Sequence, residues 1–283
     1  MGLLSALASK AILTPLRLPW AIRPRLPHRS TRFTGEGGVE LFGWVFEQRP
    51  HAKGWLVFLH GWSSNRFQAA WVAQKFGPLG WNVLAYDSRA HGKSGGAHCT
   101  YGFYEKGDLS KALDAHGIGE ALVVGTSLGA AVALQAAPAE PRIRAIIAHA
   151  PFVDLRSAIK DRSGLVPKRW VEGGIEQAQT DAGFDVDQVS PLEAAAHVTV
   201  PVLLIHGSKD PWTPPWHSER IFAALQGPKE RYVVDGAGHD GVLWRDDAWA
   251  RMVDWSERLV VTQARGEQRD QPQRGDDPQS SQT

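Results

Sequence analysis

A serine lies between two glycines where an apolar run gives way to a run of small residues, in Gly125-Thr126-Ser127-Leu128-Gly129. The apolar residues 121–124 predict a buried strand, and the small residues 130–134 predict a helix. A serine at the apex of so sharp a turn is lifted out of the backbone, and its hydroxyl faces whatever lies above the sheet. The glycines are required because side chains there would collide with the neighbouring strand and helix. The pattern is that of a nucleophile elbow, which needs a fold whose strands lead directly into helices.

Short apolar runs alternate with helical stretches along the middle of the chain. Strands are predicted at residues 39–46, 55–59, 82–86, 121–125, 143–148, 202–205 and 231–234. Helices are predicted at residues 67–76, 104–116, 128–136, 216–225 and 248–261. This alternation predicts an α/β fold with a mostly parallel sheet and helices on both faces. The run at 39–46 precedes the regular pattern and alternates less cleanly, so we place it at an antiparallel edge of the sheet.

The length of 283 residues suits one large α/β domain, which we place at residues 36–262. The strand–helix rhythm breaks between residues 152 and 199, over a stretch too long for an ordinary connection. We interpret this stretch as a small helical lid, inserted over the carboxyl ends of the strands where ligands of such sheets bind. Residues 263–283 are polar with almost no apolar side chain, which predicts a flexible tail.

Residues 1–35 contain six lysines and arginines and no acidic residue. Apolar residues at helical spacing accompany them, which predicts a basic N-terminal arm with two alternatives. An arm that packs on the domain, or a disordered leader, is favoured over an amphipathic arm that touches a membrane surface through residues 1–30. A signal peptide fits poorly, because the basic residues follow the first apolar run. We expect deletion of residues 1–30 to leave turnover unchanged.

Overall composition excludes several classes of protein. The net charge of +1 provides no field that would attract nucleic acid. The single cysteine, Cys99, forms no intrachain disulfide, which favours a reducing compartment such as the cytoplasm. No elbow surrounds Cys99, so its sequence context argues against a nucleophilic role. No uncharged apolar stretch is long enough to span a membrane.

A serine hydroxyl needs a base to become a nucleophile, and the base needs an acid to orient it. On this architecture the expected order along the chain is serine, acid, histidine. Asp210 follows the predicted strand at 202–205, and His239 follows the strand at 231–234. Both therefore come at the same edge of the sheet as Ser127. Asp154, shortly after an earlier strand, is the alternative acid.

The remaining titratable candidates are interpreted as structural. Asp240, next to His239, is expected to be a helix N-cap. The residues expected to stabilise turns and strand ends are His60, His91, His149 and His206. His197 and His217 are expected at the surface.

Four further motifs accompany the elbow, and together they resemble the α/β-hydrolase superfamily, near its lipase-like and serine-aminopeptidase-like branch. They are His60-Gly61-Trp62, the loop from Asp87 to Ser94, Gly207-x-x-Asp210-x-x-x-Pro214 and Gly238-His239. The resemblance covers residues 39–261. One departure is Ala90, which stands where a glycine is usual and is expected to strain its turn.

The resemblance implies that Ser127 attacks a carbonyl carbon, His239 takes its proton and Asp210 holds the imidazole. The backbone N–H groups of Trp62 and Leu128 would bind the oxyanion. It implies no metal or organic cofactor. Three tryptophans near the expected rim are candidates for the substrate pocket, namely Trp212, Trp216 and Trp244.

Fold alone does not choose the substrate. The first hypothesis is hydrolysis of carboxylic esters with a small or medium acyl group, a small-molecule substrate. An aminopeptidase or amidase would need a carboxylate to hold the substrate amine, for which Glu172, Glu176 and Asp181 in the predicted lid are candidates. A thioesterase or acyl transferase would use the same three side chains. A non-catalytic binding module with this fold is the fourth alternative.

Overall fold

A computed structural model of the protein describes residues 2–17, 24, 26–47 and 52–269, with side chains described as far as residue 259. Within these ranges the strands are β1 (Arg29–Thr34), β2 (Glu40–Phe46), β3 (Gly54–Leu59), β4 (Trp81–Tyr86), β5 (Ala121–Thr126), β6 (Ile143–His149), β7 (Val202–Gly207) and β8 (Lys229–Val234). The helices there are α1 (Leu3–Leu13), α2 (Ala69–Phe76), α3 (Glu105–Ala115), α4 (Leu128–Ala136), α5 (Leu155–Ser163), α6 (Lys168–Ala182), α7 (Pro191–Ala195), α8 (Trp216–Ala224) and α9 (Asp246–Arg269).

The eight strands form one sheet in the order β1-β2-β4-β3-β5-β6-β7-β8. Strands β3 to β8 run parallel to one another, whereas β2 is antiparallel to β4 and β1 is antiparallel to β2. Parallel strands need crossover connections, and here most of these carry helices that cover the sheet. The α/β fold predicted from the sequence, with a mostly parallel sheet and helices on both faces, is confirmed.

Alternate residues of the central strands enter two separate cores. Val57 and Val123 pack in one core together with side chains of α1, α3 and α4. Leu56 and Leu122 pack in the other core, with side chains of α2 and α9. Because successive side chains of a strand point to opposite faces, a sheet covered on both faces needs near-continuous apolar strands. This requirement explains the apolar runs from which the strands were predicted.

Strand β1 lies inside the segment that the sequence assigned to a basic arm. It pairs with β2 along its whole length, with Phe33 opposite Leu41. The edge position predicted for residues 39–46 is therefore wrong, although their antiparallel direction is right. The boundary drawn after residue 35 likewise separates a strand from its sheet. Only Phe33 of this strand is buried, so its sequence lacks the alternation by which a strand is recognised.

Helix α1 packs on the domain, mainly along α6 of the predicted lid. Its last turn is held by two long-range hydrogen bonds: Tyr101 Oη donates to the carbonyl of Ile12 at 2.8 Å and Cys99 N donates to that of Leu13 at 2.9 Å. In its middle, Ser9 Oγ donates to Asp181 at 2.6 Å. For residues 3–13 the structure thus has the packed arm that the sequence left as an alternative.

The predicted lid region contains helices α5, α6 and α7 between β6 and β7. We call residues 152–199 the helical insertion. Helix α9 continues to Arg269, beyond residue 263 where the flexible tail was predicted to begin, and residues 270–283 lie outside the described residues.

The helices of the described ranges include none that is both long and apolar enough to cross a membrane. The expected cytoplasmic location stays a prediction.

The contact between α1 and α6 depends on a glycine. A Cβ built on Gly174 would lie 2.5 Å from the Cβ of Ala8, closer than two carbon atoms can approach. Alanine in a helix interior is normally favoured over glycine by about 1 kcal/mol. We expect Gly174→Ala to lower the Tm nonetheless, because α1 must move away from α6.

The neighbouring Gly173→Ala is the matched control. Its Cβ would meet only Ser5 Oγ, at 2.9 Å, and that side chain is able to rotate away. The control should leave the Tm unchanged or raise it. Equal thermal unfolding curves for the two variants would contradict the close packing of α1 on α6.

Candidate active site

Ser127 lies at a strained turn between β5 and α4, with φ of 51° and ψ of −108°. A non-glycine residue adopts positive φ only where its surroundings enforce it. A Cβ on Gly129 would lie 2.1 Å from the carbonyl oxygen of Leu59, and one on Gly125 would lie 2.4 Å from Gly129. These are the collisions that the sequence argument required. The amide of Ser127 donates to the carbonyl of His149 at 2.7 Å, which ties the turn to β6.

Asp210 and His239 meet across the loops that follow β7 and β8. His239 Nδ1 lies 2.6 Å from Asp210 Oδ2, within a short hydrogen bond. The other carboxylate oxygen accepts from the amides of Trp212 and Thr213, each at 2.9 Å. The Asp210 side chain is buried, and that of His239 is only 11% exposed. The loop amides therefore hold the carboxylate in position, and the carboxylate holds the ring.

Burial by itself would raise the pKa of Asp210, but hydrogen bonds outweigh it. His206, His239 and the Thr213 amide together hold the pKa of this carboxyl well below its ordinary value. The carboxylate is thus charged at neutral pH and able to stabilise an imidazolium. His206 was expected to be structural, and its contact with Asp210 at 3.3 Å went unnoticed. Its position four residues before Asp210 at the end of β7 was the available signal.

Ser127 and His239 line the same cavity, of about 580 Å³. Within the described residues Ser127 Oγ makes no hydrogen bond to the ring. Catalytic hydrogen bonds of free enzymes are often long and tighten only in the substrate complex. As the first residue of α4, Leu128 has an N–H with no acceptor inside its helix. Gly61 and Trp62 border the cavity beside Ser127.

Asp154, the alternative acid, is occupied elsewhere. It caps α5 by accepting from the amide of Ser157 at 2.6 Å and from its hydroxyl at 2.8 Å. Asp240 is exposed and borders the cavity. The short 3-10 helix Asp240–Trp244 has His239 at its N-cap position, so the N-cap expected of Asp240 is wrong.

Most of the other histidines are structural, as expected. His60 donates from Nδ1 to the carbonyl of Gly61 at 2.8 Å and accepts the Ser88 amide at 2.9 Å. Burial lowers the pKa of His91 and of His149 to about 3, so both rings are neutral. His197 is exposed, as expected.

His217 is fully buried, and its predicted surface position is wrong. Its ring lies between the amide of Val153 at 3.1 Å and the carboxylate of Asp161 at 2.8 Å. Both partners belong to the helical insertion, so no neighbour in sequence indicated the burial.

The loop from Asp87 to Ser94 is organised around one buried carboxylate. Asp87 accepts from the amides of Arg66 and Lys93 at 2.8 Å each and pairs with the Arg66 guanidinium. Ala90 has φ of 63°, the strained conformation expected where a glycine is usual.

Cys99 is buried, and burial raises the pKa of its thiol well above the ordinary value. The thiol is therefore neutral and unreactive.

The walls of the cavity come from α1, the helical insertion and the rim loops. Helix α1 contributes Ala8, Ala11 and Ile12. The insertion contributes Leu155, Ala158, Ile159, Arg162, Ser163, Val166, Trp170 and Val171. Because α1 forms one wall, deletion of residues 1–30 would also remove part of the cavity, and its effect on turnover stays a prediction.

Of the three tryptophans predicted for the pocket, Trp212 lines it. Trp216 does not, because it stacks on His217 with ring centroids 3.7 Å apart and packs against the core. Trp244 is 70% exposed and borders a neighbouring cavity with Trp71. The aromatic residues that the sequence missed are Trp170 and Tyr101, and Tyr101 stacks on Trp62 at 4.8 Å inside the cavity.

The acidic residues proposed to hold a substrate amine lie outside this cavity. Glu172 pairs with Arg156 at 2.6 Å and Lys160 at 2.9 Å. Asp181 accepts from Ser9, and Glu176 is exposed on α6. The insertion instead places a cation, Arg162, against the cavity.

Known proteins resemble this chain in sequence, and solved structures resemble it in fold. Residues 115–260 match the prolyl oligopeptidase family, and residues 54–173 match the alpha/beta hydrolase fold family. The uncharacterized protein YqkD of Bacillus subtilis is 33% identical over 195 residues, 65% of this chain and 64% of that protein. The uncharacterized protein Rv2307c of Mycobacterium tuberculosis is 30% identical over 221 residues, 72% of this chain and 70% of its own length.

The structure of the Pyrococcus furiosus esterase Pf2001 superposes with a TM-score of 0.71 at 22% identity. It covers 87% of this chain and 98% of that one. At this identity the likeness concerns the fold.

The buried neutral histidines make stability depend on pH. The ordinary histidine pKa is 6.5, whereas burial lowers the pKa of His149 to about 3. Between these values the unfolded chain binds a proton that the folded chain does not, so the free energy of unfolding falls as pH falls. The expected slope is about 1.4 kcal/mol per pH unit for each such histidine.

Chemical denaturation at several pH values in this range gives the free energy of unfolding as a function of pH. This free energy should depend less steeply on pH in His149→Gln than in the unmodified protein. The pKa of His91 is also lowered to about 3, so part of the pH dependence should remain in this variant. The exposed His197→Gln serves as control and should change nothing. An unchanged slope in His149→Gln would contradict the neutral buried ring.

Proposed function

Because the chain belongs to the α/β-hydrolase superfamily, we propose that it hydrolyses carboxylic esters through an acyl-enzyme on Ser127. The observation that carries the proposal is the Asp210–His239 hydrogen bond beside a cavity that the elbow serine also lines. In this proposal Ser127 is the nucleophile, His239 the general base and Asp210 the residue that positions the ring. The backbone N–H groups of Trp62 and Leu128 form the oxyanion hole.

In the first half-reaction Ser127 Oγ attacks the ester carbonyl carbon while His239 accepts the hydroxyl proton. The carbonyl electron pair moves to oxygen, and the two backbone N–H groups stabilise the resulting oxyanion. Collapse of this tetrahedral intermediate breaks the bond to the alcohol. The alcohol leaves with the proton from His239, and the acyl group remains on Ser127.

In the second half-reaction water takes the place of the alcohol. His239 accepts a proton from water as its oxygen attacks the acyl carbon, and then returns the proton to Ser127 Oγ as the carboxylic acid leaves. Asp210 stays ionised throughout, because its hydrogen bonds hold its pKa low. The negative charge fixed beside the ring favours the imidazolium form in both transition states.

The cavity suits a small or medium acyl group. Its volume is about 580 Å³, and most of its walls are aliphatic or aromatic. Such a space accepts an apolar chain and leaves a few polar groups to orient the ester.

Cleavage of amide or peptide bonds is the second candidate, because residues 115–260 match the prolyl oligopeptidase family. The same three residues would serve, with an amine as the leaving group. Arg162 in the cavity disfavours a substrate with a charged amine at that position.

Thioester hydrolysis and acyl transfer differ from ester hydrolysis only in the leaving group or the acceptor. A panel of 4-nitrophenyl esters from acetate to palmitate, with thioesters and aminoacyl anilides alongside, ranks these substrates directly.

Replacing the nucleophile separates catalysis from folding. We expect Ser127→Ala to fold normally, because the turn requires a small residue at its apex and not the hydroxyl. Its ester hydrolysis should fall by several orders of magnitude, since the acyl-enzyme no longer forms. Turnover of 4-nitrophenyl esters and circular dichroism measure the two properties.

A fluorophosphonate probe gives a second readout, because it labels activated serines without needing the correct substrate. The probe should label Ser127 and leave Ser127→Ala unlabelled. Absence of labelling in the unmodified protein would favour a non-catalytic binding module. Retention of most esterase activity in the variant would refute the assignment of the nucleophile.

We also propose that the mouth of this cavity contacts an anionic membrane surface. Most exposed large apolar side chains of the described residues lie on or next to elements that line the cavity, namely Leu3, Leu4, Leu7, Leu16, Leu165, Val166, Trp170 and Trp212. Exposed cations accompany them at Lys10, Lys168 and Arg169. Apolar side chains with surrounding cations are the pattern that binds anionic lipid surfaces.

Sedimentation with vesicles tests this contact. The protein should sediment with vesicles that contain phosphatidylglycerol and less with pure phosphatidylcholine. Replacing Leu3, Leu4 and Leu7 together by serine should reduce the bound fraction several-fold, since their exposed side chains supply the apolar contact. The matched control is Val233→Ser on β8, an exposed apolar residue away from the cavity. No sedimentation with either vesicle would rule the contact out.

A further inference from the structure

Helix α5 carries three basic side chains, and one of them differs from the other two. Arg156 pairs with Asp187 at 2.7 Å and with Glu172 at 2.6 Å. Lys160 pairs with Glu172 at 2.9 Å. Arg162 forms no ion pair within the part of the chain that the structure describes. The unpaired cation is also the one that borders the catalytic cavity.

The position of Arg162 follows from the spacing along α5. Leu155, Ala158, Ile159 and Arg162 all line the cavity, so one face of the helix forms a wall. At a rise of 1.5 Å per residue, Arg162 lies about 10 Å along the axis from Leu155. Leu155 is at the end of α5 nearer to β6, and the last residue of β6, His149, binds the Ser127 amide. Arg162 thus lies about two helical turns from Leu155 along an apolar wall of the cavity that Ser127 also lines.

The Arg162 guanidinium lacks hydrogen-bond acceptors in the described ranges although it is partly buried. Its Nε is shielded from solvent and has no hydrogen-bond acceptor among the described residues. The terminal nitrogens are not shielded, and no described protein group accepts from them. Donors removed from water are normally satisfied, because leaving them without an acceptor costs free energy. An anionic ligand in the cavity would supply both the charge and the acceptors.

Among the polar groups of the cavity, Arg162 is the one suited to bind an anion. Burial raises the pKa of Tyr101 well above its ordinary value, so its hydroxyl is neutral, and it already donates to Ile12. Asp240 is a carboxylate that follows His239 on a different wall and is exposed to solvent. No other lysine or arginine lines the cavity within the described residues.

We propose that Arg162 binds an anionic group at the far end of the acyl chain, so that the substrate is an ester with a terminal carboxylate or phosphate. This inference rests on the esterase activity proposed above. The planar guanidinium matches the two oxygens of either group and binds them through paired hydrogen bonds. The apolar wall from Leu155 to Ile159 holds the chain between the ester and that anion.

A structural role would give different results. Arg162 lies in the last turn of α5, where a cation interacts favourably with the helix dipole. Loss of that interaction would lower the Tm of an Arg162 variant and leave its preference among substrates unchanged.

The experiment compares pairs of 4-nitrophenyl esters that differ only in terminal charge. One series consists of monoesters of hexanedioic, octanedioic and decanedioic acid, and the other of neutral fatty acid esters of equal length. A third series with a terminal phosphate distinguishes the two anions. The unmodified protein should hydrolyse at least one charged ester with a kcat/KM about tenfold above its neutral partner, as a charge-assisted contact provides.

Arg162→Gln should abolish that preference, mainly through a higher KM for the charged ester, so that the ratio of kcat/KM between the charged and the neutral ester falls to about one. Arg162→Lys should keep part of the preference, because lysine retains the charge but lacks the paired N–H donors of the guanidinium. Lys168→Gln removes an exposed cation from the same insertion and should leave the preference intact. No preference in the unmodified protein, or a preference that survives in Arg162→Gln, overturns the proposal.

Binding without turnover separates this proposal from the esterase assignment. Calorimetry on Ser127→Ala should show tighter binding of monomethyl octanedioate than of methyl octanoate, and this difference should vanish when Arg162→Gln is added. Loss of all ester hydrolysis and of probe labelling, with the binding difference intact, would refute the esterase and retain the anion site. Ester hydrolysis by the unmodified protein, with equal binding of the two methyl esters to Ser127→Ala, would retain the esterase and refute the anion site.

Discussion

The position of Ser127 depends on a steric constraint at the turn after β5. Gly129 lies against the carbonyl of Leu59 in β3, and Gly125 lies against Gly129, so neither position has room for a side chain. On the other side, the Ser127 amide is bound to the last residue of β6. Since β5 lies between β3 and β6, both neighbouring strands hold the turn. Ser127 keeps its strained backbone because three strands and one helix leave no alternative.

The same edge of the sheet places the acid and the base. Parallel strands end at one edge, so the loops after β7 and β8 are neighbours although 29 residues separate Asp210 from His239. Two loop amides and His206 orient the carboxylate before substrate arrives, and the carboxylate orients the imidazole. Preorganised dipoles of this kind need not rearrange as charge develops in the transition state. The regular part of the fold therefore positions Ser127, Asp210 and His239.

The cavity belongs to the irregular parts. Helix α1 and the helical insertion form most of its apolar walls, and Gly174 allows the two to pack closely. These segments also carry Arg162 and the exposed leucines and tryptophans around the mouth. Because function depends on the site and not on the fold, segments that surround the cavity are able to set the substrate without changing the sheet. In this protein we infer that they select an anionic acyl chain and its approach from a lipid surface.

The sequence alone determined the α/β class, the order of the strands from β2 to β8, the elbow and the choice of Ser127, Asp210 and His239 as candidates. Those inferences depend on local spacing and on which residues follow a strand, and both can be recognised from residues that are close together in sequence. Tertiary structure alone decided that β1 is the edge strand, that α1 is a cavity wall and that His217 is buried. It also moved Trp216 and Trp244 away from the site and placed Arg162 in it. Each of these depends on contacts between segments far apart in sequence: His217 is buried by Val153 and Asp161, and no pattern near residue 217 contains them.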